Sequence, residues 1–117
     1  MPPLFVVQEP VFGVPVRLEE TTWFGHVLPV HKDMRARRDD VRRAIASPSV
    51  VLSSKSHADR YLYHLLLPGK KLYVRVVVRL RRDRTGNPIE GVVVTAYLTD
   101  IMSGGDVLWV APRLPIE

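Results

Sequence analysis

The sequence of 117 residues contains no cysteine. This absence excludes disulfide scaffolds, zinc sites built from thiolates and cysteine nucleophiles, and it fits a reducing compartment. No apolar run approaches the roughly 18 residues that a membrane-spanning helix needs. The first ten residues lack the basic start and the long apolar stretch of a signal peptide. We therefore expect a cytoplasmic protein without a membrane partner.

Acidic residues are fewer than basic ones. The chain has 12 Asp and Glu residues against 17 Lys and Arg residues, a net charge of +5 and a pI of about 10.0. Thirteen of the basic residues are arginine, whose planar guanidinium matches phosphate with two donors and stacks on bases. This surplus favours a nucleic acid or another polyanion as partner, although it also serves solubility.

The length is typical of one domain with its own hydrophobic core, which folds without disulfides or metal. We expect residues 1–117 to form this single domain, with 111–117 as a tail. Alternating apolar residues and turn residues predict seven strands. These strands are expected at residues 4–7, 14–18, 50–54, 60–67, 71–81, 90–99 and 107–110.

Two helices are predicted between the second and third strands. Thr21 or Thr22 can cap a short helix that Pro29 then disturbs. A second helix should run from about residue 33 to residue 46, and Arg37 lies on its apolar stripe, so it must pair or point into a cleft. The predicted fold is α+β, with an N-terminal strand pair and two helices packed on one face of a four-stranded antiparallel sheet.

Strand alternation predicts a polar face on this sheet, opposite the helices. In residues 71–81 this face carries Tyr73, Arg75, Arg79 and Arg81. In residues 90–99 it carries Val93, Thr95 and Tyr97. Guanidinium groups, rings and hydroxyls together can hold phosphates and stack bases, though an ordinary solvated face has a similar composition. We predict RNA contacts at Tyr73, Arg75, Arg79, Arg81 and Arg37.

The strand at residues 60–67 alternates less cleanly. Either Tyr61 and Tyr63 or Arg60 and His64 join the polar face.

The histidines His26 and His31 are the candidates for proton transfer. Five residues on a continuous helix place them about 140° apart, and a third metal ligand is not evident nearby, so we expect no metal and no cofactor. Imidazole titrates near neutral pH and suits acid–base catalysis. A kink at Pro29 could bring both rings to one cleft or leave only one there. Alternatively, one ring packs beneath Trp23 or caps the helix.

These parts suit RNA cleavage by attack of the 2′-hydroxyl on the neighbouring phosphate. This reaction needs proton carriers, positive charge and an orienting hydroxyl, and no protein nucleophile. We therefore predict a metal-independent endoribonuclease. The alternatives are a non-catalytic RNA-binding module on the same sheet, which needs no histidine, and a structural or phage-assembly domain.

A series of short motifs runs through residues 14–110. The residues that form these motifs are Trp23, His26, His31, Pro48, Tyr61, Tyr63, Val76, Val77, Val78, Thr95, Ala96, Tyr97, Gly105 and Trp109. This order resembles the phage-associated barnase–EndoU–colicin–RelE-like (BECR) nuclease families, although His31 is followed by Lys32 and Asp33 where similar sequences often read Pro-Glu.

The resemblance implies a metal-independent ribonuclease, often a toxin or a phage-borne effector. It also implies helices followed by a four-stranded antiparallel sheet. The residues for which it implies catalytic roles are His26, His31, Thr95, Tyr97, Arg60 and Tyr63. A basic toxin of this kind implies an acidic antitoxin or immunity protein as partner.

Overall fold

The computed structural model describes residues 2–69 and 71–112. Most of the predicted tail, residues 113–117, lies outside the described residues. The strands are β1 (Phe5–Gln8), β2 (Pro15–Leu18), β3 (Val50–Ser53), β4 (Arg60–Leu66), β5 (Tyr73–Arg82), β6 (Pro88–Thr99) and β7 (Val107–Val110). They form one seven-stranded sheet in the order β1-β2-β6-β5-β4-β3-β7.

Two short helical segments connect β2 to β3. Segment α1 has three consecutive pieces, Glu20–Thr22, Trp23–Val27 and Leu28–Val30, of which the middle one is π-helical. A 3-10 turn at Lys32–Met34 and the helix α2 at Arg38–Ala46 follow. No helix within residues 2–69 and 71–112 is long and apolar enough to cross a membrane.

The predicted four-stranded antiparallel sheet beneath two packed helices is wrong. All seven strands join one sheet, and the sheet is mixed because β2 runs parallel to β6, with Val16 opposite Gly91. A Cβ on Gly91 would lie 3.1 Å from Cγ2 of Val16 in β2 and 2.8 Å from Cγ1 of Val78 in β5, so glycine relieves crowding from both neighbouring strands. Alternation indicates which residues share a face, but it does not indicate which strands pair.

The second helix is also shorter than predicted. It begins at Arg38 rather than near residue 33, because Arg37 has φ −118° and ψ 17°, outside the helical range. Asp39 and Asp40 then occupy the first turn, where negative charge interacts favourably with the helix dipole. The preceding residues Lys32–Met34 form the 3-10 turn instead.

Helix α2 covers one face of the sheet and forms the core with it. Its buried residues Val41 and Ile45 belong to the same apolar cluster as Val74 and Val76 of β5. Burial of one such side chain contributes about 1.5–3 kcal/mol. The opposite face, called the open face below, carries the other residues of the alternating strands.

A β-bulge in β6 changes the predicted faces of this strand. Val77 of β5 lies opposite Thr95, but Val78 lies opposite Val93, so Val94 is an extra residue. Val93 is therefore buried in the core, 1% exposed, and not on the polar face as predicted. Thr95 follows the bulge directly, and bulges often re-aim side chains beside functional sites.

Candidate functional site

Segment α1 lies along an edge of β6. Strand β2 pairs with β6 only at Gly91 and Val92, and further along the strand β6 contacts α1 instead. Trp23 and Val27 of α1 are buried in the core. His26 is on the exposed side of α1 and reaches the open face.

The histidines His26 and His31 come together at this edge. His26 Nε2 is hydrogen-bonded to Thr95 Oγ1 at 3.0 Å. The ring centroids of His26 and His31 are 6.3 Å apart, and the His31 ring lies against Tyr97 with centroids 5.3 Å apart at 31°. The structure thus brings four of the predicted catalytic residues into one group, called the histidine cluster below: His26, His31, Thr95 and Tyr97.

The local backbone explains why histidines five apart converge. The Leu28 N–H donates to the Trp23 carbonyl, a bond between residues five apart that widens this turn relative to an α-helix. His31 itself leaves the helical range, with φ −122° and ψ 76°. The 140° separation expected on a continuous helix therefore does not apply.

Arg75 is hydrogen-bonded to one member of the histidine cluster, Tyr97. Its Nη1 donates to the Tyr97 hydroxyl at 3.4 Å, and its Nη2 donates to the carbonyls of Ile101 and Ser103 at 3.1 and 2.8 Å. The residue is only 7% exposed. Arg75 was predicted to contact RNA, but its guanidinium is hydrogen-bonded to protein acceptors. These bonds fix Tyr97 and the loop after β6.

His64 is a functional candidate that the sequence left undecided. It is fully buried on the open face, accepts from Arg75 Nε at Nε2 over 2.8 Å and contacts the Val50 carbonyl through Nδ1 at 3.1 Å. Burial, with the Arg75 charge second, lowers the pKa of His64 to about 4. A neutral imidazole therefore holds Arg75 in place. The sequence did contain a signal for this position, because His64 is an even number of residues from Arg60 and therefore shares its face of the strand.

A cleft of about 430 Å³ opens on the open face beside the histidine cluster, and it is called the central cleft below. Thr95 and Tyr97 line one side of it. The polar loop between β3 and β4 contributes to the lining, and this loop was not among the predicted site residues. The other polar residues that line the cleft are Ser54, Lys55, Ser56, His57, Arg60, Arg75 and Ser103.

Tyr63 is not at this site, although the resemblance implied a catalytic role. It lies opposite Val76 on the core face and is 1% exposed. Burial is the main cause that raises the pKa of Tyr63, and its hydroxyl interacts with the Glu9 carboxylate. Glu9 in turn accepts from the Phe12 N–H and so holds the β1–β2 turn. Strand β4 thus places Arg60 and His64, not the tyrosines, on the open face.

The other residues predicted to contact RNA differ in their exposure and in their partners within the protein. Arg79 is exposed on the open face. Arg81 shares Glu90 with Arg17. Tyr73 packs edge-on against His64, with ring centroids 6.1 Å apart. Arg37 pairs with Asp40 beside α2 and does not line the central cleft.

Within the described residues, no three His, Cys, Asp or Glu side chains form a group that could hold a metal ion. No family model, curated protein or solved structure matches the chain. The chemistry of the site therefore has to follow from its own geometry.

Proposed function

We propose that this protein is an endoribonuclease that uses protein side chains alone, like the nucleases its motifs resemble. The observation that carries the proposal is the histidine cluster. Two imidazoles lie 6.3 Å apart, one of them hydrogen-bonded to a hydroxyl. This separation lets both rings reach one phosphodiester. Each ring contacts a residue, Thr95 or Tyr97, that lines a cleft with cationic side chains.

One histidine acts as the base and removes the proton of the 2′-hydroxyl, whose oxygen attacks the adjacent phosphorus. The bond from phosphorus to the 5′ oxygen then breaks. The other histidine, protonated, donates its proton to that leaving oxygen. The products are a 2′,3′-cyclic phosphate and a 5′-hydroxyl end, and a DNA strand cannot react because it has no 2′-hydroxyl.

The surroundings of the histidines support these roles. The Thr95 hydroxyl orients His26, and Tyr97 supports the His31 ring. Lys55 and Arg60 line the central cleft and give it a positive potential that attracts the phosphates of RNA. The Arg75 hydrogen bonds hold this arrangement before substrate arrives, as preorganised catalysis requires.

The test is cleavage of total RNA by purified protein in excess EDTA, beside a His26→Ala/His31→Ala double variant. We expect cleavage that survives chelation, leaves 2′,3′-cyclic phosphate ends and is lost in the double variant. Val30→Ala is the matched control, because Val30 is 60% exposed on the same segment and should retain full activity. Undiminished cleavage in the double variant would remove the acid–base assignment.

A non-catalytic RNA-binding module is the second candidate, favoured by the cationic lining of the central cleft. Such a module would bind RNA equally well with or without the two histidines. RNA binding without cleavage at any pH between about 5 and 9, the range in which histidine changes charge, would select this alternative.

In this proposal the enzyme acts in the cytoplasm as a toxin or a phage-type effector. Its inhibitor is an acidic antitoxin or immunity protein that covers the central cleft. Charge complementarity would speed the association of such a pair.

A further inference from the structure

Two arginines face each other across neighbouring strands of the open face. Arg60 of β4 lies directly opposite Arg79 of β5. Directly opposed residues of antiparallel strands have Cβ atoms about 5 Å apart, and two like charges in such a pair are destabilising. A negative charge bound between them would therefore stabilise the pair.

No protein group among the described residues supplies that charge. Asp59 precedes Arg60 and lies beside Arg79, but it forms no ion pair with either. The Nε of Arg60 is buried and has no hydrogen-bond partner in this part of the chain. In contrast, five other arginines of the described residues are paired with carboxylates. These paired residues are Arg17, Arg37, Arg42, Arg43 and Arg81.

The pair also connects two clefts. Arg60 lines the central cleft, and Arg79 lines a second cleft of about 370 Å³. Along β5, Arg79 is two residues beyond Val77, which lies opposite Thr95. Two strand residues span about 7 Å, which is close to the distance between neighbouring phosphates of an extended RNA strand.

We propose that Arg60 and Arg79 form a second phosphate-binding subsite, which holds the phosphate next to the one that is cleaved. The identity of the polymer rests on the proposed ribonuclease function, whereas anion binding by this pair does not. Arg60 thereby takes a binding role in place of the catalytic role that the resemblance implied. The substrate class is then an oligonucleotide with at least two phosphates.

The first test measures binding of single-stranded DNA of about ten nucleotides, which cannot react by this route, at salt concentrations between about 50 and 200 mM. The Arg60→Gln/Arg79→Gln variant should bind about tenfold more weakly at low salt. Its salt slope should be smaller by about 0.7, the value for one phosphate of a single strand. Arg42→Gln/Arg43→Gln is the matched control, because it removes two charges from α2. Equal losses of affinity in the two variants would overturn the proposal.

The second test compares cleavage of a dinucleotide, which has one phosphate, with cleavage of an RNA of about ten nucleotides. We expect the Arg60→Gln/Arg79→Gln variant to lose about tenfold in kcat/KM on the longer RNA only. An equal loss on the dinucleotide would place both arginines at the cleaved phosphate and overturn the subsite. A changed salt slope in a protein that cleaves neither substrate would keep the subsite and reject the ribonuclease.

A third readout concerns folding. Because the substitution removes two positive charges that face each other, the Arg60→Gln/Arg79→Gln variant should be at least as stable to urea as the wild type. A clearly less stable variant would mean that the two arginines interact favourably within the protein, which contradicts an anion-binding pair of like charges.

Discussion

The buried histidine His64 has a role that depends on its charge state. Its neutral imidazole accepts from Arg75 Nε, and a protonated imidazole could not accept. Burial and the Arg75 charge lower the pKa of His64 from its ordinary 6.5 to about 4. The unfolded chain therefore binds a proton more readily than the folded chain between these two values. This contribution to stability is complete above pH 6.5 and is lost as the pH falls towards 4.

From this linkage we predict that the free energy of unfolding falls by roughly 2 kcal/mol more in wild type than in His64→Gln between about pH 7 and pH 5. Glutamine can still accept from Arg75 and donate to Val50, but it does not titrate. Urea unfolding of both proteins at each pH measures the difference. Burial is the main cause that raises the pKa of Glu9, so Glu9 contributes to the pH dependence of stability with the opposite sign. This contribution is the same in both proteins and cancels in the comparison. Parallel pH profiles for the two proteins would contradict a neutral buried His64.

Among the elements, the attachment of β7 to β3 depends on one glycine. The Gly105 N–H donates to the Ser53 carbonyl at 2.8 Å, and the Asp106 N–H donates to Ser53 Oγ at 2.8 Å. A Cβ on Gly105 would lie only 2.3 Å from Ser53 Oγ and 3.1 Å from the Ser53 carbonyl oxygen. Any larger residue here would therefore force Ser53 to shift at the point where the chain after β6 returns to the sheet edge.

Gly105→Ala should accordingly destabilise the protein by about 1–3 kcal/mol, the usual cost of overpacking. Gly25→Ala is the control, because nothing lies within 4 Å of a Cβ there and alanine favours helix by up to about 1 kcal/mol. Thermal unfolding of the two variants should shift in opposite directions. An unchanged midpoint for Gly105→Ala would show that Ser53 moves away without cost.

The elements also show how far the sequence can predict this molecule. All seven strands lie close to their predicted positions because alternation marks each strand locally. The predicted four-stranded antiparallel sheet with a separate N-terminal strand pair was wrong because pairing depends on distant contacts, such as Val16 with Gly91. Pro29 indicated a disturbed helix, but no local pattern indicated the π-turn that precedes it or the bulge at Val94. Yet those two irregularities place Thr95 and the two histidines, so the residue types of the site were predictable and its geometry was not.

At the scale of the whole molecule, the side covered by α2 and the open face differ in whether their arginines are paired with carboxylates. On α2, Arg42 and Arg43 pair with Asp39 and Asp40. On the open face, Arg79 has no such partner among the described residues. Arg60, which lines the central cleft, also has no carboxylate partner in this part of the chain. Part of the net charge of +5 is thus uncompensated at this cleft, and the binding of a polyanion there should depend mainly on phosphate.

Binding and cleavage should therefore respond differently to the sugar of the substrate. We predict that a DNA strand and an RNA strand of the same sequence bind with Kd values within about tenfold, and with similar salt slopes, because both present the same phosphates. Only the RNA should be cleaved, since the attacking oxygen is its 2′-hydroxyl. The DNA should then inhibit RNA cleavage with an inhibition constant close to its Kd. DNA that binds far more weakly than RNA would mean that the site contacts the 2′-hydroxyl directly. DNA that binds tightly without inhibiting cleavage would mean that the phosphates bind away from the histidine cluster.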